Sequence, residues 1–177
     1  MARRRTIYWF ALNVFKDFPK ILRDMEEAGK ETYRAMTVAE DYAGTGLKYK
    51  EVPLVPHLLF VRCTARWLEE YKRSNNDYFM YYRDLATGAP GPVDDREMEV
   101  FRTVTSIRDG DIRFLGEDKE EYHKGDKVRV TGGIYKGAEG YVKRIERSRD
   151  LLVSVSGVAV IAISHIHPQY LEKIEQA

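Results

Sequence analysis

Cysteine is almost absent from this sequence, with Cys63 the only one in 177 residues. A single thiol forms no internal disulfide and, with no second cysteine nearby, anchors no Cys-type zinc site, so it reads as a core thiol. Net charge is nearly absent too. The formal +1 gives the whole molecule no electrostatic signature of a protein that coats nucleic acid. No apolar run reaches membrane-spanning length, and Met1-Ala-Arg-Arg-Arg-Thr6 leads into an amphipathic segment without a small-residue cleavage site. The expectation is a cytoplasmic protein with no membrane partner. Also missing are a Gly-rich phosphate loop, a paired-carboxylate signature and a serine elbow. No nucleophile, base and orienter assemble from local motifs, so neither enzyme activity nor a cofactor is expected.

What is present is apolar sequence, 44% of the chain, enough for one ordinary domain or two small ones and too much for disorder. Ile7-Tyr-Trp-Phe-Ala-Leu-Asn-Val14 reads as a strand with two apolar faces. Asp17 then caps a helix with Pro19 in its first turn, Phe18, Ile21, Leu22 and Met25 as its stripe, and Gly29 as its stop. Residues 32–38 suggest a short strand. Asp41 to Lys50, with Gly44 and Gly46 and no apolar period, suggests an exposed loop or mobile hairpin tip.

Pro53 and Pro56 stand at the entrance of a second strand with two apolar faces, ending at Cys63. A short helix over 64–72, a strand over 78–82 and a turn-rich connector over 87–92 follow. Asp94 with Glu97 then opens a helix as a capping box. The order predicts an α+β domain over 1–108, a small antiparallel sheet with helices on one face. Residues 109–122 are charged and lack apolar periodicity, as a linker would. From 123 to 177, strands of about five residues broken by glycines predict a small SH3-like barrel. This last part is mildly basic.

The stretch from Gly125 to Ile145, GDKVRVTGGIYKGAEGYVKRI, resembles a KOW motif. Gly132 or Gly133 would supply a positive backbone dihedral in its first turn, and Gly137 and Gly140 a tight approach of strands. The segment from Trp9 to Phe15, the helix after it and Pro53-Leu-Val-Pro-His-Leu-Leu-Phe-Val-Arg62 are similar to the N-terminal domain of NusG-family elongation factors. More narrowly, residues 56–61 and 156–163, with the ending from His167 to Ile174, look like the UpxY antiterminators of capsular polysaccharide loci.

The resemblance implies a non-enzymatic factor that binds elongating bacterial RNA polymerase, at the clamp helices of its largest subunit, and modulates pausing or termination. The family uses an apolar depression on the sheet face that helices leave uncovered. By resemblance, Trp9, Phe10, Asn13, Val55 and Leu58 shape that depression, and Pro56 and His57 hold the strand entrance. The segments 41–50 and 73–77 are candidates for reaching a second polymerase element or upstream DNA. Two departures stand out. Val55 and Leu58 replace the family's aromatic pair, and His57 replaces its Gly. In the barrel, Ser156-Gly157-Val158 stands where general factors carry an aromatic and a basic residue that meet Rho or a ribosomal protein, which weakens the expectation of Rho binding and favours an antitermination specialist.

Blander readings stand beside these. Trp9, Phe10 and Leu58 also suit simple core burial. Lys143, Arg144, Arg147 and Arg149 surround a hairpin and suit nascent RNA, yet charges on a strand edge also block aggregation, the reading the neighbouring Glu146 and Asp150 favour. Arg3, Arg4 and Arg5 suit either a nucleic acid or a solvated end. His123, His165 and His167 lack the further firm ligand a metal site needs, and no metal is expected. Two other functions stay open: an RNA- or ribosome-binding KOW module, or a housekeeping NusG coupling polymerase to Rho or a ribosome.

Overall fold

The computed structural model describes residues 6–42, 44, 46–108, 111–145 and 147–174. Arg3, Arg4, Arg5 and Glu146 lie outside the described residues. The elements run in chain order as β1 (Ile7–Val14), α1 (Phe18–Glu27), β2 (Glu31–Tyr33), β3 (Met36–Asp41), β4 (Lys48–Pro53) and β5 (Leu58–Thr64). Next come α2 (Ala65–Ser74), β6 (Phe79–Tyr81), β7 (Pro92–Val93), α3 (Asp95–Thr105) and β8 (Ile112–Gly116). Last are β9 (Asp126–Val130), β10 (Glu139–Ile145), β11 (Ser148–Val155), β12 (Ala159–Ile163) and β13 (Leu171–Lys173). Two compact units result: residues 1–34 with 56–95, and residues 35–55 with 96–177.

The first unit is an antiparallel sheet in the order β2-β5-β1-β6, with β7 also pairing β1. Opposite partners share a face, and the register sets Phe10 against Val61 and Leu12 against Leu59. Those residues, with Val14, Cys63 and Phe79, pack against Ile21 and Met25 of α1 and Leu68 of α2. Both helices therefore cover one face, as the sequence predicts. Each has its cap: Asp17 accepts from the Lys20 amide at 3.2 Å, and Thr64 from the Trp67 amide at 3.2 Å. Lys72 is buried near the end of α2, where its ammonium donates to the carbonyls of Asn76, at 2.7 Å, and Phe79. Burial pulls its pKa down.

The second unit holds the β3–β4 hairpin, most of α3 and a six-stranded antiparallel sheet in the order β13-β9-β10-β11-β12-β8. All five residues of β12 are buried, so both of its faces are covered, as in the small barrel predicted. Gly140 explains part of the close packing, because a Cβ there would stand 2.0 Å from the Leu152 carbonyl oxygen. Gly133, at φ 76°, takes the left-handed turn expected of it or its neighbour.

The stretch read as a linker contains β8, hydrogen-bonded along β12 from Ile163 to Val160. Its charge is not a sign of solvation. Arg113 donates at 2.7 Å to Asp150, a carboxylate with no exposed surface that also accepts from the Ser148 hydroxyl at 2.7 Å. The exposed loop expected over 41–50 is narrower, since β4 begins at Lys48 and pairs with β3. The strand expected over 32–38 breaks at Arg34 and Ala35 into β2 and β3.

Candidate functional site

Alternation along β1 divides the residues singled out in the sequence. Trp9, Ala11 and Asn13 share one face with Arg62, Phe60 and Leu58 of β5, while Phe10 faces the helices inside the core. Phe10 is therefore a core residue, not part of a depression on the other face. That other face is also not open: Trp9 is 5% exposed, Leu58 4% and Phe60 0%. Large aromatic side chains gain most by leaving water, and here they do. Val55 is buried too and falls in the second unit, at the end of the segment that carries the β3–β4 hairpin.

Accessible residues lie at both ends of that face, with Ile7 and Arg62 toward one end and a second group at the other. Asn13, Pro56 and His57 are exposed. The β1–β6 register places Met80 directly across from Asn13, and Met80 is 42% exposed and Phe15 52%. The sequence reading missed both, because β6 is three residues long and its pairing partner cannot be read from periodicity. Exposed Met and Phe side chains mark adaptable contact surfaces.

His57 sits at φ 63°, a left-handed turn that glycine takes without cost. Two contacts hold it there. The Val14 amide donates to the His57 carbonyl at 2.8 Å, and the His57 Nδ1 lies 3.1 Å from the Val14 carbonyl oxygen. Because that oxygen can only accept, Nδ1 carries the proton. A cationic rim borders the patch, with Lys16 and Lys20 at 5.0 and 4.9 Å from the centre of the Tyr78 ring. Lys20 also donates to Asp24 at 2.7 Å, which with a hydrogen bond from Tyr71 holds the Asp24 carboxyl below its usual range against the opposing pull of burial.

In the second unit the four basic residues expected at the β10–β11 hairpin do not act together. Arg144 stands directly across from Arg149, whereas Lys143 lies on the opposite face, donating to the Glu121 carbonyl at 3.1 Å with its ammonium 5.4 Å from the Tyr122 ring. Arg147 occupies the turn. The Ser156-Gly157 loop is held by two carboxylates. Glu97 of α3, expected in a capping box, accepts from the Ser156 amide at 2.9 Å and from its hydroxyl, and Asp118 accepts from the Gly157 amide at 2.9 Å. A further tie joins α3 to the sheet: Glu139 accepts from Arg129 at 2.8 Å and from Arg96 at 3.1 Å. Burial pushes the Glu139 pKa up, but the two guanidiniums outweigh it and hold the carboxyl below its usual value.

The three histidines weighed for a metal have separate contacts. His123 pairs with Asp118 at 2.7 Å, His165 with Asp111 at 2.9 Å, and His167 accepts from the Gln169 amide at 3.3 Å. Among the described residues no group of three or more His, Cys, Asp or Glu side chains is placed to hold a metal ion. Among them, too, no helix is long and apolar enough to cross a membrane.

The solved structure of Thermotoga maritima NusG is similar at 19% identity, covering 96% of this chain and 98% of that one with a TM-score of 0.48. A comparison with curated protein sequences finds no match. The family model for the KOW motif matches residues 124–156, a span that takes in β9, β10 and β11. The second unit of this chain therefore carries a KOW motif.

Proposed function

We propose that this chain is a NusG-like transcription factor that docks on elongating bacterial RNA polymerase through its first unit and modulates pausing or termination. The observation that carries the reading is a KOW motif preceded by an α+β unit that gathers Trp9, Asn13 and Leu58 on one sheet face, where the sequence resemblance to the family places the polymerase contact. The partner surface is the clamp helices, a helix-in-groove contact. Asn13, Pro56, His57, Met80 and Phe15 make the first contact, being accessible. Trp9, Leu58 and Val55 are buried and contribute only if their surroundings open on docking. Binding then acts by population shift, favouring a closed, processive clamp over an open one.

The finer reading is a specialist of the UpxY type, an antiterminator of an operon such as a capsular polysaccharide locus. Its support lies in the Ser156-Gly157 loop, which lacks the aromatic and basic residues of general factors and whose amides are held by Glu97 and Asp118.

The test is binding of purified bacterial core polymerase to the full-length protein and to Phe15→Glu/Met80→Glu. These two residues are exposed, so the change leaves folding intact, whereas Trp9→Ala would confound binding with core damage. A loss of binding of at least about tenfold, of the size a central contact residue gives, is expected. Unchanged binding removes the site, and no binding by the unaltered protein removes the reading.

A further inference from the structure

The helix-covered side of the first unit carries a cleft that the polymerase reading does not use. Tyr8 and Phe10 stand on the opposite side of β1 from Trp9 and Asn13, and their rings meet edge-on at 6.5 Å. With them, Ala65, Ala89, Pro90 and Pro92 wall a space of about 190 Å³. Clefts for small ligands hold roughly 300–1,000 Å³, so this one has room for a single side chain. Two carboxylates line it and, among the described residues, no basic side chain does. Glu69 stands one turn beyond Ala65 on α2. Asp84 opens a tight turn, in which its Oδ1 accepts from the Ala86 amide at 2.8 Å and the Thr87 amide at 3.1 Å. The Asp84 amide donates to the Ala89 carbonyl at 2.9 Å and the Gly88 amide to the Asp84 carbonyl at 2.8 Å, which closes the turn. The cations nearest in sequence are engaged outside the cleft, Arg66 with Glu70 at 2.9 Å and Arg83 over the Tyr81 ring at 5.5 Å. Leu85, next to Asp84, is fully exposed, which sets an apolar contact point beside the acidic cleft.

We propose that this cleft receives one arginine side chain from a partner protein. Its apolar walls suit the carbon stem of a long cationic side chain, and the Tyr8 ring suits the plane of a guanidinium. Two carboxylates match the guanidinium's five donors, which the three of a lysine ammonium match less well. Leu85 assigns the source to a protein, because a free guanidinium compound ends inside the cleft, whereas a peptide lays a neighbouring apolar residue on Leu85. The hydrogen-bonded turn is built before binding, which leaves little ordering for the partner to offset. The site lies on the other side of β1 from Trp9 and Asn13, so it stands independently of the polymerase reading.

The experiment probes the full-length protein with an array of heptapeptides whose central residue is each amino acid in turn, flanked by mixtures of Leu, Ala and Ser. Fluorescence anisotropy then measures the affinity of the best binders. Peptides centred on Arg are expected to bind at least about tenfold tighter than those centred on Ala, the weight of a buried anchor, and tighter than those centred on Lys. Glu69→Gln/Asp84→Asn removes that preference and keeps the turn, since Asn retains the oxygen that accepts from the Ala86 and Thr87 amides. Ala65→Leu removes it by filling the cleft with both charges intact. Leu85→Ser weakens peptides with Leu flanks and leaves those with Ser flanks unchanged. Glu70→Gln, a charge lost outside the cleft, stays within about twofold, as residues around an anchor do. Absence of a preference for Arg overturns the proposal. So does an equal preference for Lys, which would mean a charge field without a shaped site, or a preference that survives Glu69→Gln/Asp84→Asn. Binding of N-acetylarginine amide as tight as that of the best peptide also overturns it, by making the occupant a small guanidinium compound.

Discussion

The two units close their sheets by opposite routes. In the first, β1 lies between β5 and β6, strands drawn from residues 58–64 and 79–81, so every pairing spans a long stretch of chain and the helices fill the turns between. In the second, β9, β10, β11 and β12 pair in the order in which they occur, each with the next, and only the edges β8 and β13 return from a distance. The contrast teaches where sequence pattern suffices. Sequential hairpins are specified by their turns and by local alternation, whereas long-range pairings must pay loop closure first and leave no local mark.

The contrast can be broken most severely in the cores. Phe10→Ala removes a fully buried ring from the first unit and should cost about 3–5 kcal/mol; Ile161→Ala should cost the second about 2–5 kcal/mol. Peptide-resolved hydrogen exchange should show each loss mainly in its own unit, and equal acceleration in both would make the division meaningless energetically. Arg113→Ala comes next. It strands Asp150 with only the Ser148 hydroxyl, at about 1–3 kcal/mol, and should release β8 before the central hairpins exchange.

Thr64→Ala removes the α2 cap and should cost about 1 kcal/mol in the first unit's unfolding by urea, with no change in the amides of β10 and β11. The smallest effect is in acid. The Glu139 carboxyl is held below its unfolded value, so the contribution of its pairs to stability is present above pH about 4.5 and is lost as pH falls through that value toward the folded pKa. Glu139→Gln should therefore lower Tm at pH 7 by the equivalent of about 0.2–1 kcal/mol, and the difference should shrink as pH falls below about 4.5 toward the folded pKa.

Much of this molecule was legible. Asp17 stands where a cap belongs, the stripe Ile21, Met25 is buried as a helical face should be, and the KOW turns bend at their glycines. Three things were not. The face of Trp9 could not be told from that of Phe10 as a place for a partner, because both sides of β1 are apolar and burial depends on what lies over each side. Phe15 and Met80 were overlooked because their neighbourhood is made by β6 pairing, a long-range event. Residues 111–116 looked like linker because Arg113 and its neighbours are charged, and a charge pattern gives no sign of the buried acid, Asp150, that one of those charges meets.

The placement of Trp9, Trp67 and Cys63 has a practical consequence. Both tryptophans and the lone thiol belong to the first unit. Trp9 is buried, Trp67 stacks on Tyr71 at 5.2 Å, and burial pushes the Cys63 thiol up to about 12, which keeps it from alkylating reagents until its strand opens. Indole fluorescence and thiol labelling will thus report the melting of one half of the molecule and be blind to the other. A single sigmoid by either probe would carry no information about the KOW unit, whose unfolding needs a tryptophan introduced into its own sheet, for instance at Tyr141, to become visible.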